Sequence, residues 1–446
     1  MKKNNLKMLC MLTLTTVLAT SVLAGCGSKA STATTSTTDN TKPVTLKLIT
    51  WTNPATVNAI KVLNDNFTKK YPNIKVKIDS VDSATYPNLV QTRIAASDAD
   101  IIAQQQFVAN PVYTKGLDKP PFQQYVENGD FLDLSNEAFI KNYDQNAIKD
   151  SSSFNGKVYA IPVSKVSYNG VFYNKTIFEQ NKLKVPQTWD EFMSICKTLQ
   201  DKGIAPLTAG GKDGWPIGAI AANAVVSTAI SDPTSYMKGL WAGNKKLNDA
   251  ESLVIFDRLA QLSSYYEKGV MGVDYASVPG RFAAGKAAML TDGAWQAPQI
   301  AKADPNLKFG YFPMPSTSKG SDVAQLKGKY DTLFAASGKS KNKDAELKWL
   351  AFMSEKENYT TFINAIAMEP TMTGVTSNDA FLKSLAPMSK DFQLDFELVY
   401  RAPKGMGKFG GFQPTQLKTL GGTVSSSKAL ADLAQKDWDT AVKVAK

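Results

Sequence analysis

Histidine is absent from all 446 residues, which removes the commonest general base and metal ligand. The absence argues against Ser-His or Cys-His catalysis and against zinc sites, but not against carboxylate enzymes. Cysteine is scarce. Its three positions, Cys10, Cys26 and Cys196, make no disulfide framework. Cys196 shares a predicted helix face with Phe192, Ile195 and Leu199, the setting of a core thiol rather than a nucleophile. Runs of like charge are missing too: the formal charge is +11, but its basic residues are scattered, so no nucleic-acid partner is expected. Internal repeats are absent, and no cofactor or metal is expected.

What is present begins with an apolar run at residues 8–23, preceded by Lys2, Lys3 and Lys7. That layout predicts a secretory signal over residues 1–25. Thr13, Thr15, Thr16, Thr20 and Ser21 within the run weaken its alternative, a transmembrane anchor. Leu23-Ala24-Gly25-Cys26 resembles the bacterial lipobox, which implies lipid on Cys26 and attachment to the outer face of the cell membrane. Residues 26–42 are rich in Ser, Thr and Ala and read as a tether of roughly 20–25 Å.

Beyond the tether, strands alternate with helices, the mark of a parallel, doubly wound α/β sheet. Leu46, Leu48 and Thr50 alternate in a strand that delivers Trp51, and Asn53-Pro54 opens a helix. Ile74, Val76 and Ile78 mark a second strand, residues 86–96 a helix and residues 99–103 a third strand. Residues 158–163 and 171–173 are apolar β segments where passage into a second lobe is expected. Thr188 and Glu191 spell a capping box. Residues 205–209 form the next strand, residues 309–315 a crossing strand back to the first lobe, and residues 345–354, 357–366 and 427–444 helices.

The chain is organised around residues 280–295. Gly285 is placed to stop a helix in the left-handed conformation, residues 287–290 suit a buried strand, and Thr291 or Asp292 suits the cap of a helix carrying Trp295. Gly280-x-x-x-x-Gly285-Lys286-Ala287 is not a phosphate loop, because Ala287 replaces the required hydroxyl. Trp51, Trp215 and Trp295 each follow a predicted strand, at the edge where ligands collect in open α/β sheets. Taken singly, each fits a core tryptophan better than a ligand platform. Trp189 reads as packing. Asn53, Asp82, Gln106, Asn169, Asp292 and Arg401 can each engage neighbouring hydroxyls with two atoms, although caps or turns account for them equally. The adjacent Tyr265 and Tyr266 are placed in a helix with one facing the core, which disfavours iron.

Phe282-x-x-Gly285-x-Ala287-Ala288-Met289-x-x-x-Gly293-x-Trp295 resembles the signature of the extracellular solute-binding proteins of family 1, the sugar-capturing components of bacterial ABC importers. Ala160-Ile161-Pro162, the run from Tyr168 through Asn169 to Lys175, and Pro186-x-Thr188-Trp189-Asp190-Glu191-Phe192 follow the same family order. The resemblance implies a two-lobed, type II periplasmic-binding-protein-like α/β fold with discontinuous lobes joined by a hinge. Lobe 1 is expected at residues 43–157 and 297–345, lobe 2 at 158–296 and 346–446. It also implies binding rather than catalysis, a carbohydrate (an oligosaccharide) as ligand, an ABC permease as partner and a monomeric state. With three tryptophans in the family's order, the platform reading prevails over the core reading. A secreted carboxylate glycosidase, or a binder of peptides, polyamines or metal, remains the alternative.

Overall fold

The computed structural model describes residues 42–316, 325–389, 392–406 and 410–444. The expected signal, the Cys26 site and all of the tether except Lys42 lie outside the described residues, as do residues 407–409 of the glycine-rich run after Arg401. The chain divides into Met1–Lys42 and Pro43–Lys446, and the second unit is described below.

Its strands are β1 (Val44–Trp51), β2 (Ile74–Val81), β3 (Ile101–Gln104), β4 (Ser153–Phe154), β5 (Lys157–Val158), β6 (Ile161–Ser167), β7 (Gly170–Asn174), β8 (Leu207–Thr208), β9 (Met289–Thr291), β10 (Phe309–Pro313), β11 (Lys327–Ala336), β12 (Glu369–Pro370) and β13 (Gln393–Leu394). One sheet runs β12-β6-β11-β3-β1-β2, with β13 beside β11. A second runs β10-β7-β9-β8.

The first sheet is parallel across β2-β1-β3 and between β11 and β13, but β11 runs antiparallel to both β3 and β6. The expected all-parallel sheet is therefore mixed. The chain leaves the first sheet after β6, builds the second, and re-enters as β11, in the opposite direction. Leu46, Leu48 and Ile49 are all buried, as befits a central strand covered on both faces. Helix Pro54–Lys70 starts as its sequence requires: Asn53 Oδ1 accepts the Thr56 N–H (3.1 Å), with Pro54 in the first turn.

Strand pairing sets sheet membership. β6 joins the first sheet and β7 the second, so the chain passes between the sheets at Tyr168-Asn169, between the two apolar β segments where passage is expected. β10 pairs with β7, keeping residues 309–313 in the second sheet. Helices Lys343–Met353 and Lys356–Ile366 pack on β11 and β6 of the first. The apolar runs mark strands, but only pairing decides to which sheet each belongs.

Around the second sheet, helix Trp189–Asp201 buries Phe192, Cys196 and Leu199 in the apolar cluster that also holds Phe256, Leu430 and Trp438, with Phe192 6.0 Å from the Phe312 ring. Thr188 Oγ1 accepts the Glu191 N–H (3.3 Å), while the Glu191 carboxylate accepts from the Gln187 N–H (2.8 Å), one residue earlier than a capping box predicts. Burial pushes the Cys196 thiol well up, which suits packing and not nucleophilic attack. Trp189 is buried and its indole N–H donates to Gln261 (2.6 Å). Helix Ala250–Ser263 ends before Tyr265, and Tyr266 bonds Thr291 through its hydroxyl (2.7 Å).

Candidate functional site

The carboxyl ends of β1 and β3 open onto one cavity of about 980 Å³, which Trp215 and Trp295, from the segments that follow β8 and β9, also line. Trp51 closes β1 and its ring meets Tyr86 edge-on at 5.5 Å. Tyr86 is fixed in turn, its hydroxyl donating to the Ala103 carbonyl (2.7 Å). From the other sheet, Trp215 stands at the head of a π-helical turn, Pro216–Ala221, a distortion often found at functional sites. Trp295 follows β9 on a single 3₁₀ turn, Ala294–Gln296.

The organising stretch folds as follows. Helix Val278–Ala283 stops at Gly285, whose φ of +67° only glycine adopts cheaply. β9 then pairs β7 and β8. Gly293 lets the indole fold back over the turn, since a Cβ there would lie 2.4 Å from the Trp295 ring. No side chain caps this turn, contrary to the expected role of Thr291 or Asp292.

Trp295 is half-buried, and its indole N–H donates to the Tyr275 hydroxyl (2.6 Å). Tyr275 lies 4.5 Å from the Trp215 ring and directs its own hydroxyl toward Asp292 Oδ1 (3.4 Å). Asp292 also accepts from the Gly293 N–H (2.8 Å) and the Gln296 amide (3.1 Å). Burial raises its carboxyl to about 7. Trp215, Tyr275 and Trp295 thus form one aromatic surface held from behind by a buried carboxyl.

Of the sequence-predicted residues, Trp51, Asn53, Gln106, Trp215, Trp295 and Arg401 line the cavity; Asp82, Asn169 and Asp292 do not. Asp82 is exposed and accepts from the Thr85 hydroxyl (2.6 Å) and the Thr85 and Ala84 N–H groups, which hold its carboxyl below the usual range. Asn169 is buried; its amide accepts from Lys327 N–H (2.7 Å) and donates to Gln325 C=O (3.3 Å), tying the crossing to the start of β11. Asp292 sits behind the surface. Gln106 has both amide ends engaged, with Tyr330 N–H (3.1 Å) and Asp150 C=O (2.9 Å). Arg401 donates to the Tyr400 carbonyl (2.7 Å).

Sequence reasoning missed Tyr86, Tyr125, Asn223, Tyr275, Lys329, Asp331 and Glu397, which also line the cavity. For Tyr86 a signal existed: it opens the helix after the second strand. For Tyr275, on a 3₁₀ turn between aperiodic segments, none did.

The family described as bacterial extracellular solute-binding protein matches residues 52–360 of this chain. Among curated relatives, the multiple sugar-binding protein of Streptococcus mutans serotype c is 28% identical over 300 residues, 66% of this chain and 67% of that one. The melibiose/raffinose/stachyose-binding protein MelE of Bacillus subtilis (strain 168) is 23% identical over 396 residues, 86% of each. Among solved structures, the solute-binding protein RafE in complex with raffinose superposes with a TM-score of 0.73 at 22% identity, covering 89% of this chain and 99% of that one. The chain therefore shares their two-lobed α/β fold.

Proposed function

From the premise that this chain belongs to the bacterial extracellular solute-binding proteins, we propose that it captures an oligosaccharide in the cavity and delivers it to an ABC permease. The observation that carries this reading is the aromatic surface of Trp215, Tyr275 and Trp295, which shares a cavity with Trp51 and with the amides of Asn53, Asn223 and Gln104. Sugar rings present C–H faces that stack on aromatic rings, and hydroxyls that need planar donors and acceptors. The sugar named for each relative above agrees with this choice.

In this proposal the segments joined to the seven-stranded sheet form one lobe and those joined to the four-stranded sheet the other, with Trp51, Asn53 and Gln106 contacting ligand from the first and Trp215 and Trp295 from the second. Arg401 contacts ligand at the rim. The protein works by closing on its ligand and turns over nothing, as a monomer held to the outer face of the membrane by lipid on Cys26. Among the described residues no helix is long and apolar enough to cross a membrane.

A thermal-shift screen of the soluble body against a glycan library tests the reading, because a ligand that binds only the folded state raises its melting point. At least one oligosaccharide is expected to shift it and to be recovered intact after incubation. A cleaved sugar would favour the glycosidase alternative; a shift by peptides or polyamines alone would overturn the sugar. Cys26→Ser is expected to release the protein from the membrane fraction, and unchanged partitioning would count against the anchor.

A further inference from the structure

Among the described residues, four charged side chains line the cavity: Lys329, Asp331, Glu397 and Arg401. Their signs balance, and each is already engaged. Lys329 Nζ lies 3.6 Å from Asp331 Oδ1, and the two side chains are only 12% and 7% exposed. Lys329 also stands over the Tyr168 ring, 5.4 Å from its centroid. Asp331 accepts a second bond from the Gln105 amide (3.2 Å). The Tyr168 hydroxyl donates to Glu397 (2.9 Å). One buried tyrosine at the crossing thus serves a cation with its face and a carboxylate with its hydroxyl. Arg401 donates to main-chain carbonyls of Tyr400 (2.7 Å) and Glu397 (3.4 Å), and the Glu397 carboxylate acts on it electrostatically.

A charged ligand meets this wall badly. A sugar carboxylate or phosphate approaching Lys329 must displace Asp331 or lie beside its negative charge. An ammonium approaching Asp331 meets Lys329 in the same way. At this pair both would lose water for a partner that is already taken, and a desolvated charge whose counter-charge is shared is costly. Uncharged hydroxyls meet no such penalty, because the remaining polar lining is largely neutral amide, including Gln91, Gln104, Gln105 and Asn223.

We infer that the cavity selects uncharged saccharides against both acidic and amino sugars, and that Asp331 is the specificity-determining residue because it neutralises Lys329. This inference rests on the sugar reading above.

The test is isothermal titration of the wild-type protein with matched oligosaccharides: galactose against galacturonate oligomers, and N-acetylglucosamine against glucosamine oligomers. The neutral member of whichever pair binds is expected to be at least about tenfold tighter. Asp331→Asn leaves Lys329 without its counter-charge; the galacturonate-to-galactose affinity ratio should then rise about tenfold or more, and fall again with added salt. Lys329→Gln should move the glucosamine pair in the opposite sense. A wild-type protein that binds a charged member as tightly as its neutral match overturns the inference and leaves the sugar reading standing. The same holds if a folded Asp331→Asn protein shows an unchanged ratio. If no saccharide in this panel or the glycan library binds, both fall together.

Discussion

Trp295 shows how a single residue divides two accounts. Half-buried and bonded through its indole N–H to Tyr275, it has a face left for a ligand, which a core tryptophan lacks. Trp295→Ala is expected to lose roughly 2 kcal/mol of binding, from about 1.5–3 for burying a large apolar side chain. That is about thirtyfold in dissociation constant by calorimetry. If the indole were core instead, chemical denaturation would show about 3–5 kcal/mol lost in stability with binding intact. Tyr275→Phe keeps the ring against Trp215 but removes the hydroxyl between Trp295 and Asp292. A loss of about 0.5–1.5 kcal/mol in binding is expected, the net worth of one hydrogen bond; undiminished affinity would mean the indole holds its pose without it. The tryptophans were legible because they follow strands. The polar partners were less so. Asn169 and Asp292 are the right residue types at a strand end, yet their side chains point inward, one to a segment more than 150 residues away.

Elements were more legible than their assembly. Helix starts with a local cause, such as Asn53-Pro54 and Thr188, were read from a few neighbouring residues and formed as read. The reversed direction of β11 and the sheet to which β6 and β10 belong depend on pairings between distant segments, which periodicity does not encode. Asn169 joins two such segments, and this gives it a test. Asn169→Ala strips the Lys327 N–H of its amide partner (2.7 Å). An unsatisfied buried group costs about 1–3 kcal/mol, so a stability loss of about that size is expected in a urea titration. If Asn169 were instead a ligand contact, the same variant would keep its midpoint and lose affinity.

At the scale of the whole molecule, buried acids set a pH slope. Burial raises Asp292 to about 7, Glu346 to about 8 and Asp395 to about 6, and moves Glu369 up as well; both carboxylate oxygens of Glu346 lack a hydrogen-bond partner. Exposed acids titrate near about 4. Between those values the folded protein binds more protons than the unfolded chain, so stability falls as pH rises from about 4 to about 8. The urea midpoint is expected to be lower at pH 8 than at pH 5, and Glu346→Gln should reduce the difference; an unaltered difference would remove Glu346 from the account. Closure has its own measurement. Small-angle scattering should give a smaller radius of gyration once a sugar found in the screen is added, because contacts made only in the closed form shift the population toward it. An unchanged radius would count against closure on binding.

The place of β11 also fixes when the protein can come into being. β3 bonds to β1 on one side and to β11 on the other, while β6 reaches the sheet only through β11. During synthesis Ile101, Ile102 and Ala103 leave the ribosome long before Ala336 to Leu333 exist to cover their free edge. At about 5–20 residues per second the interval lasts roughly 10–50 s. An apolar strand edge bare for that long invites pairing with other chains. The first sheet therefore stays open through most of the chain's manufacture and closes only when residues 333–336 arrive.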